Sequence, residues 1–187
     1  MYSSGSDFGS RWRAVAERRA GVQLINSTDW MDYQIRHASR DDVAQLARLR
    51  YDFRSNLSEP IEDEEDFIER CGLWMAKRLG DGRWHCWVAE DGDRLIGNVW
   101  IQLVEKIPTP TDEPEEHAYL TNFFVLESVR GRGVGSDMLS RVLDWSAQRQ
   151  VHAVFLWPTI RTRPMYERHG FRADGDAMQL LFAPRAQ

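Results

Sequence analysis

From Tyr33 onward the chain alternates apolar and polar positions in readable periods. Tyr33-Gln34-Ile35-Arg36-His37 alternates at period two, which predicts a strand. Val43, Leu46, Ala47, Leu49 and Tyr51 then recur near helical period, behind a capping Ser39 and the first-turn carboxylates Asp41 and Asp42. A second helix is predicted from Ile61 to Leu79, with Phe67, Cys71, Trp74 and Met75 on its apolar face. Trp84 to Ala89 and Arg94 to Val104 read as two strands joined through Glu90-Asp91-Gly92-Asp93, where Gly92 permits a tight hairpin turn. Pro108, Pro110 and Pro114 break regular structure. Ala118 to Leu126 is nearly all apolar and predicts a central strand buried on both faces.

A helix is predicted from Val134 to Gln148, with Val134, Met138, Leu139, Val142, Leu143 and Trp145 inward. Val151 to Trp157 predicts another buried strand. Arg163 to His169 predicts a short helix ended by Gly170, and Met178 to Phe182 a last strand. The resulting order is β-α-α-β-β-β-α-β-α-β. Residues 1–31 differ: they are rich in Ser, Gly and Arg and lack an apolar central stretch, so they read as a flexible N-terminal extension ahead of a domain over 32–187.

The chain of 187 residues is 42% hydrophobic and 28% charged, which fits one ordinary domain with a core. A net charge of −5 argues against nucleic acid as a partner, because phosphate backbones call for a basic patch. The two cysteines, Cys71 and Cys86, have no metal-type spacing, so no metal site is expected. No run is long and apolar enough to span a membrane, and a cytoplasmic protein with reduced thiols is the expectation.

Candidate chemistry concentrates between the apolar strand and the helix that follows, in Arg130-Gly131-Arg132-Gly133-Val134-Gly135. Alternating glycines let the backbone turn sharply and present successive N–H groups. The helix start adds the positive end of its dipole, and together they form a nest suited to a diphosphate. Arg130 and Arg132 add charged donors. The loop follows a late strand and reads RxxGxG, so it is neither a dinucleotide GxGxxG after a first strand nor a GxxxxGK[ST] loop.

With Leu120-Thr121-Asn122-Phe123-Phe124-Val125 before this loop and Tyr166-Glu167-Arg168-His169-Gly170-Phe171 after it, the chain resembles the GCN5-related N-acetyltransferase (GNAT) family over residues 33–183. The family's loop pattern, (Q/R)xxGx(G/A), is met by Arg130, Gly133 and Gly135. The resemblance implies an α/β acyl-CoA N-acyltransferase fold: a mixed, mostly antiparallel sheet flanked by helices. It implies an acetyl-CoA-dependent transferase acting directly on a primary amine of a small molecule or peptide. Phe123, Phe124 and Val125 would pair with the pantetheine arm, with the Val125 N–H on the thioester carbonyl. Arg130, Gly131, Arg132, Gly133, Val134, Gly135 and Ser136 would wrap the diphosphate. Tyr166 would be the general acid toward the leaving thiolate. Thr159 stands where many members carry an Asn against the cofactor arm, with a shorter reach.

Two features depart from the family or stay open. Some members carry a basic Glu where this chain has Tyr119; Glu115, Glu116 and His117 could act through a water or simply form a solvated loop. The acidic run Glu59 to Asp66 could attract a polyamine, an aminoglycoside or a lysine-bearing peptide, or only stabilise its helix dipole. The missing base motivates an alternative, an acetyl-CoA-binding regulatory module without turnover. An exposed strand edge or the N-terminal arm would suit a homodimer.

Overall fold

The computed structural model describes residues 32–173. The sequence expectations for 1–31 and for a strand at 178–182 lie outside the described residues. The chain divides into two compact units, Met1–Leu156 and Trp157–Gln187, each taken by itself.

The first unit is built on a five-stranded sheet in the order β1-β2-β3-β4-β5. Its strands are β1 (Gln34–His37), β2 (Trp84–Asp91), β3 (Arg94–Glu105), β4 (Glu116–Val125) and β5 (Ala153–Phe155). Pairing is antiparallel up to β4, and β4 pairs with β5 in parallel, so the sheet is mixed and mostly antiparallel as expected. Its helices are α1 (Val43–Ser55), α2 (Glu64–Arg78) and α3 (Val134–Gln148). The last has the predicted ends.

Neighbouring columns of a sheet point to opposite faces. The column Val88, Asn98, Phe124 belongs to the side where Leu46 and Leu49 of α1 and Met75 of α2 form the core. The column Ala89, Gly97, Val125 faces the other way. There a Cβ on Gly97 would sit 3.2 Å from Met138 Sδ of α3 and 3.1 Å from Phe124 O. The missing side chain therefore lets β4 and α3 close on β3 together.

The entry to α1 is a short 3-10 turn, Arg40–Asp42, opened by a capping box between Ser39 and Asp42. The buried Asp42 also accepts two hydrogen bonds from Arg36, both 2.8 Å, and Arg36 reaches on to Glu90. The Arg36 hydrogen bonds hold the Asp42 carboxyl below its usual pKa against the opposing effect of burial. A carboxylate with a depressed folded pKa contributes stability above its unfolded value, about 3.9, which is lost as pH falls toward the folded one. Asp42→Ala should therefore cost about 2 kcal/mol at pH 7, the upper range for losing a cap. The deficit against wild type should shrink at pH 3, as read from urea melts at the two values; an undiminished deficit would contradict the assignment.

The described part of the second unit holds α4 (Arg163–Arg168), six residues with Pro164 in its first turn and Gly170 at φ +92° after it.

Candidate active site

Among the described residues only part of β4 is paired on its far side, and that partly paired strand is the candidate site. The described β5 pairs with His117, Ala118 and Tyr119 and goes no further. The predicted strand Val151–Trp157 is thus shortened to three residues, and the edge of β4 beyond Tyr119 has no partner strand among the described residues.

Toward its end β4 bulges. Thr121 pairs with Trp100 and Phe124 with Asn98, so Asn122 and Phe123 oppose the single residue Val99. Asn122 takes a left-handed backbone, φ +47°, which non-glycine residues seldom adopt. Beyond the bulge, Leu126 N donates to Ile96 O at 2.9 Å, and Val125 lies opposite Gly97. Alternate residues of an antiparallel pair turn both main-chain groups to the same side. Val125 therefore turns its N–H and C=O away from β3, toward the side β5 leaves open. Its carbonyl there accepts a 2.9 Å hydrogen bond from Arg130 Nε.

Arg130 does more than supply charge. Its guanidinium stacks 5.7 Å over the Phe124 ring and lies 3.5 Å from Glu127. It thereby ties the loop back onto the end of β4 across the 3-10 turn Glu127–Val129. Arg132 is exposed. Gly131 and Gly133 have φ of +78° and +92°, and no atom lies within 4 Å of a Cβ built on either. Gly133 is the N-cap of α3 and offers no side chain to it. The first main-chain bond of the helix runs from Asp137 N to Gly133 O, so the N–H groups of Val134 and Gly135 precede the helical ladder. Val134 is buried and fixes the helix start, while Gly135 and Ser136 are half-buried beside it. This open surface, lined by uncapped amides at a helix N-terminus, fits a diphosphate.

Cys71 is half-buried and Cys86 buried, and burial pushes both thiols up, so both stay protonated at neutral pH. Among the described residues no group of His, Cys, Asp and Glu could hold a metal ion, and no helix is long and apolar enough to cross a membrane.

The sequence candidates for a base fall elsewhere. Glu116 is held by Arg149 at 2.9 Å, and Glu115 accepts from Thr109 N at 3.2 Å. His117 packs 5.0 Å from the His152 ring, and burial lowers its pKa. All three stand toward the β5-paired end of β4, about 26 to 33 Å along the chain from Val125 at ~3.3 Å per residue. Part of the acidic run is occupied as well: Asp63 caps α2, Glu62 pairs with Arg70, and Glu64 with Arg48.

In the second unit Tyr166 is buried, with its ring edge-on to Phe171 at 5.5 Å. Burial pushes its pKa up to about 12. The Thr159 hydroxyl lies 3.0 Å from that of Thr162, the N-cap of α4, and Arg163 N donates to Thr159 O at 3.0 Å, so Thr159 lies in the turn just ahead of the helix carrying Tyr166.

An open strand edge running into a glycine-rich helix start defines a class of protein that lays a long, diphosphate-bearing ligand along its sheet. The chain belongs to the acetyltransferase (GNAT) family, whose model matches residues 43–171; acetyl-CoA is that family's co-substrate. It is 24% identical over 147 residues to an uncharacterized N-acetyltransferase of Methanocaldococcus jannaschii, covering 74% of this chain and 60% of that one. A second such protein, from Archaeoglobus fulgidus, is 22% identical over 74% of this chain and 92% of its own length. Among solved structures, a predicted acetyltransferase of Clostridium acetobutylicum crystallised with acetyl-CoA superposes with a TM-score of 0.67 at 23% identity, covering 80% of this chain and 96% of that one.

Proposed function

We propose that this chain moves the acetyl group of acetyl-CoA directly to a primary amine of a small molecule or peptide. The carrying observation is one continuous segment in which the open edge of β4 ends at Val125 and the uncapped start of α3 follows at Gly133. Bound acetyl-CoA supplies the electrophilic thioester; the rest is done by this chain's groups. Phe123, Phe124 and Val125 align the pantetheine arm by main-chain pairing. The Val125 N–H donates to the carbonyl oxygen as it gains negative charge, which favours the transition state over the ground state. Gly131, Gly133 and Gly135 let the diphosphate approach the amides, with Val134 anchoring them, Ser136 beside them and Arg132 adding charge. Arg130 holds the end of β4 in register with the loop.

Tyr166 donates the proton that the departing thiolate takes up. A phenol whose pKa burial has pushed to about 12 is protonated at any working pH, so the proton to be donated is in place. Thr159 offers its hydroxyl to the cofactor arm from the turn ahead of the helix of Tyr166. Direct transfer is favoured because both thiols stay protonated and neither belongs to the β4–α3 segment.

The test is calorimetric binding of acetyl-CoA followed by a panel of amines with released coenzyme A detected. Binding together with release on some amine is the expected result; absence of binding overturns the reading. The remoteness of Glu115, Glu116 and His117 from Val125 favours a second reading, binding without turnover. Tight binding with no release across the panel identifies it.

A further inference from the structure

Where α1 meets the bulge of β4 stands a cation that no carboxylate balances among the described residues. Arg50 projects from α1 to the bulge, where its Nη1 donates to Asn122 Oδ1 at 3.1 Å. Three arginines are half-buried among the described residues: Arg36, Arg50 and Arg78. Arg36 is paired with Asp42 and Glu90, and Arg78 with Asp81. Arg50 alone of the three has no carboxylate. Its other neighbours are the Phe53 ring, 5.8 Å below the guanidinium, the like-charged Arg54, and Cys71 and Tyr119, none of them a carboxylate.

Withdrawing a charge from water without a partner is costly, and side chains that stay so placed generally have an anion to meet. Here burial and the nearby Arg54 pull the guanidinium's pKa down, which marks the same deficit. Asn122 holds its position at the cost of a left-handed backbone, and such strain collects at ligand sites. Asn122 stands three residues before Val125 on the same strand, at most about 10 Å from the proposed thioester donor at ~3.3 Å per residue. Within the Glu59–Asp66 run, Asp63 is taken up in a cap and Glu62 and Glu64 in ion pairs, whereas Arg50 is withdrawn from water with only the Asn122 amide oxygen to meet it.

We propose that Arg50, steadied by Asn122, binds an oxyanion of the acceptor, a carboxylate or a phosphate, and so orients its amine toward the thioester. The acceptor class is then a small amine bearing an anionic group rather than a polyamine. Guanidinium suits both anions because its planar fork donates two parallel hydrogen bonds. This inference rests on the transferase reading above.

Steady-state assays on the full chain at saturating acetyl-CoA test it with two matched pairs: β-alanine against β-alaninamide, and O-phosphoethanolamine against 2-methoxyethylamine. The expected result is a kcat/KM at least about tenfold higher for the anionic member of one pair or both, and which pair responds separates carboxylate from phosphate. Arg50→Ala should bring that ratio near unity through a raised KM, and Arg50→Lys should keep part of it. Unchanged acetyl-CoA affinity and a melting temperature near wild type show that the variants are folded. Equal rates within both pairs, or a preference that survives Arg50→Ala, overturns the inference. Turnover of polyamines with neither anionic compound accepted also overturns it and leaves the transferase reading standing. Coenzyme A release with no amine of any kind overturns both.

Discussion

Tyr166→Phe should lower turnover by about 10² to 10⁴, the usual contribution of a placed general acid, while leaving the Kd for acetyl-CoA unchanged. Phenylalanine keeps the ring that meets Phe171 edge-on and removes only the hydroxyl. The pH profile adds a second signature. With the phenol pushed up to about 12, its acid form persists through pH 10, so wild type should show no falling limb from this group at an ordinary tyrosine's value near 10. Stopped assays of coenzyme A release from pH 6 to 10.5 read both effects. Unchanged turnover in the variant would remove Tyr166 from the reaction and leave it a buried core residue.

Gly133→Val should weaken acetyl-CoA binding at least tenfold. A left-handed backbone costs an L-residue about 1 to 2 kcal/mol, and a β-branched side chain fits there worst. The new side chain would also enter space that holds no protein atom within 4 Å of the Cβ position, where the diphosphate is expected. Gly92→Ala is the control: Gly92 shares the positive φ, at +57°, and the open surroundings, but sits in the β2–β3 turn. It should cost stability and leave acetyl-CoA affinity intact. Equal affinity loss in the two variants would mean that strain, rather than a binding surface, accounts for the effect.

The features legible in the sequence are those set locally. Val134 to Gln148 shows a clean helical period behind a glycine cap, and α3 has those ends. The loop was legible because its glycines alternate next to a strand. Features set by register were hidden. Val151 to Trp157 is apolar except for His152, yet only three residues pair, and Trp157 is 56% exposed. Nothing local in Asn122 signals that β3 will present one residue to two, or that its backbone turns left-handed. The need for Gly97 arises from Phe124 and Met138, both distant in the chain. Arg50 looked like any polar position on an amphipathic helix; only the absence of a carboxylate around it in space sets it apart. Glu115, Glu116 and His117 were plausible bases by sequence proximity to β4, but a strand carries its two ends far apart.

The central claim is that main-chain amides at the start of α3 hold the diphosphate of the thioester carrier. Paired calorimetric titrations with acetyl-CoA and with S-acetylpantetheine, which keeps the thioester and the arm but lacks the diphosphate, test it directly. Two charge-assisted hydrogen bonds at about 1.5 kcal/mol each predict a loss of ~100-fold or more for the shorter compound. Equal affinities for the two would contradict the account.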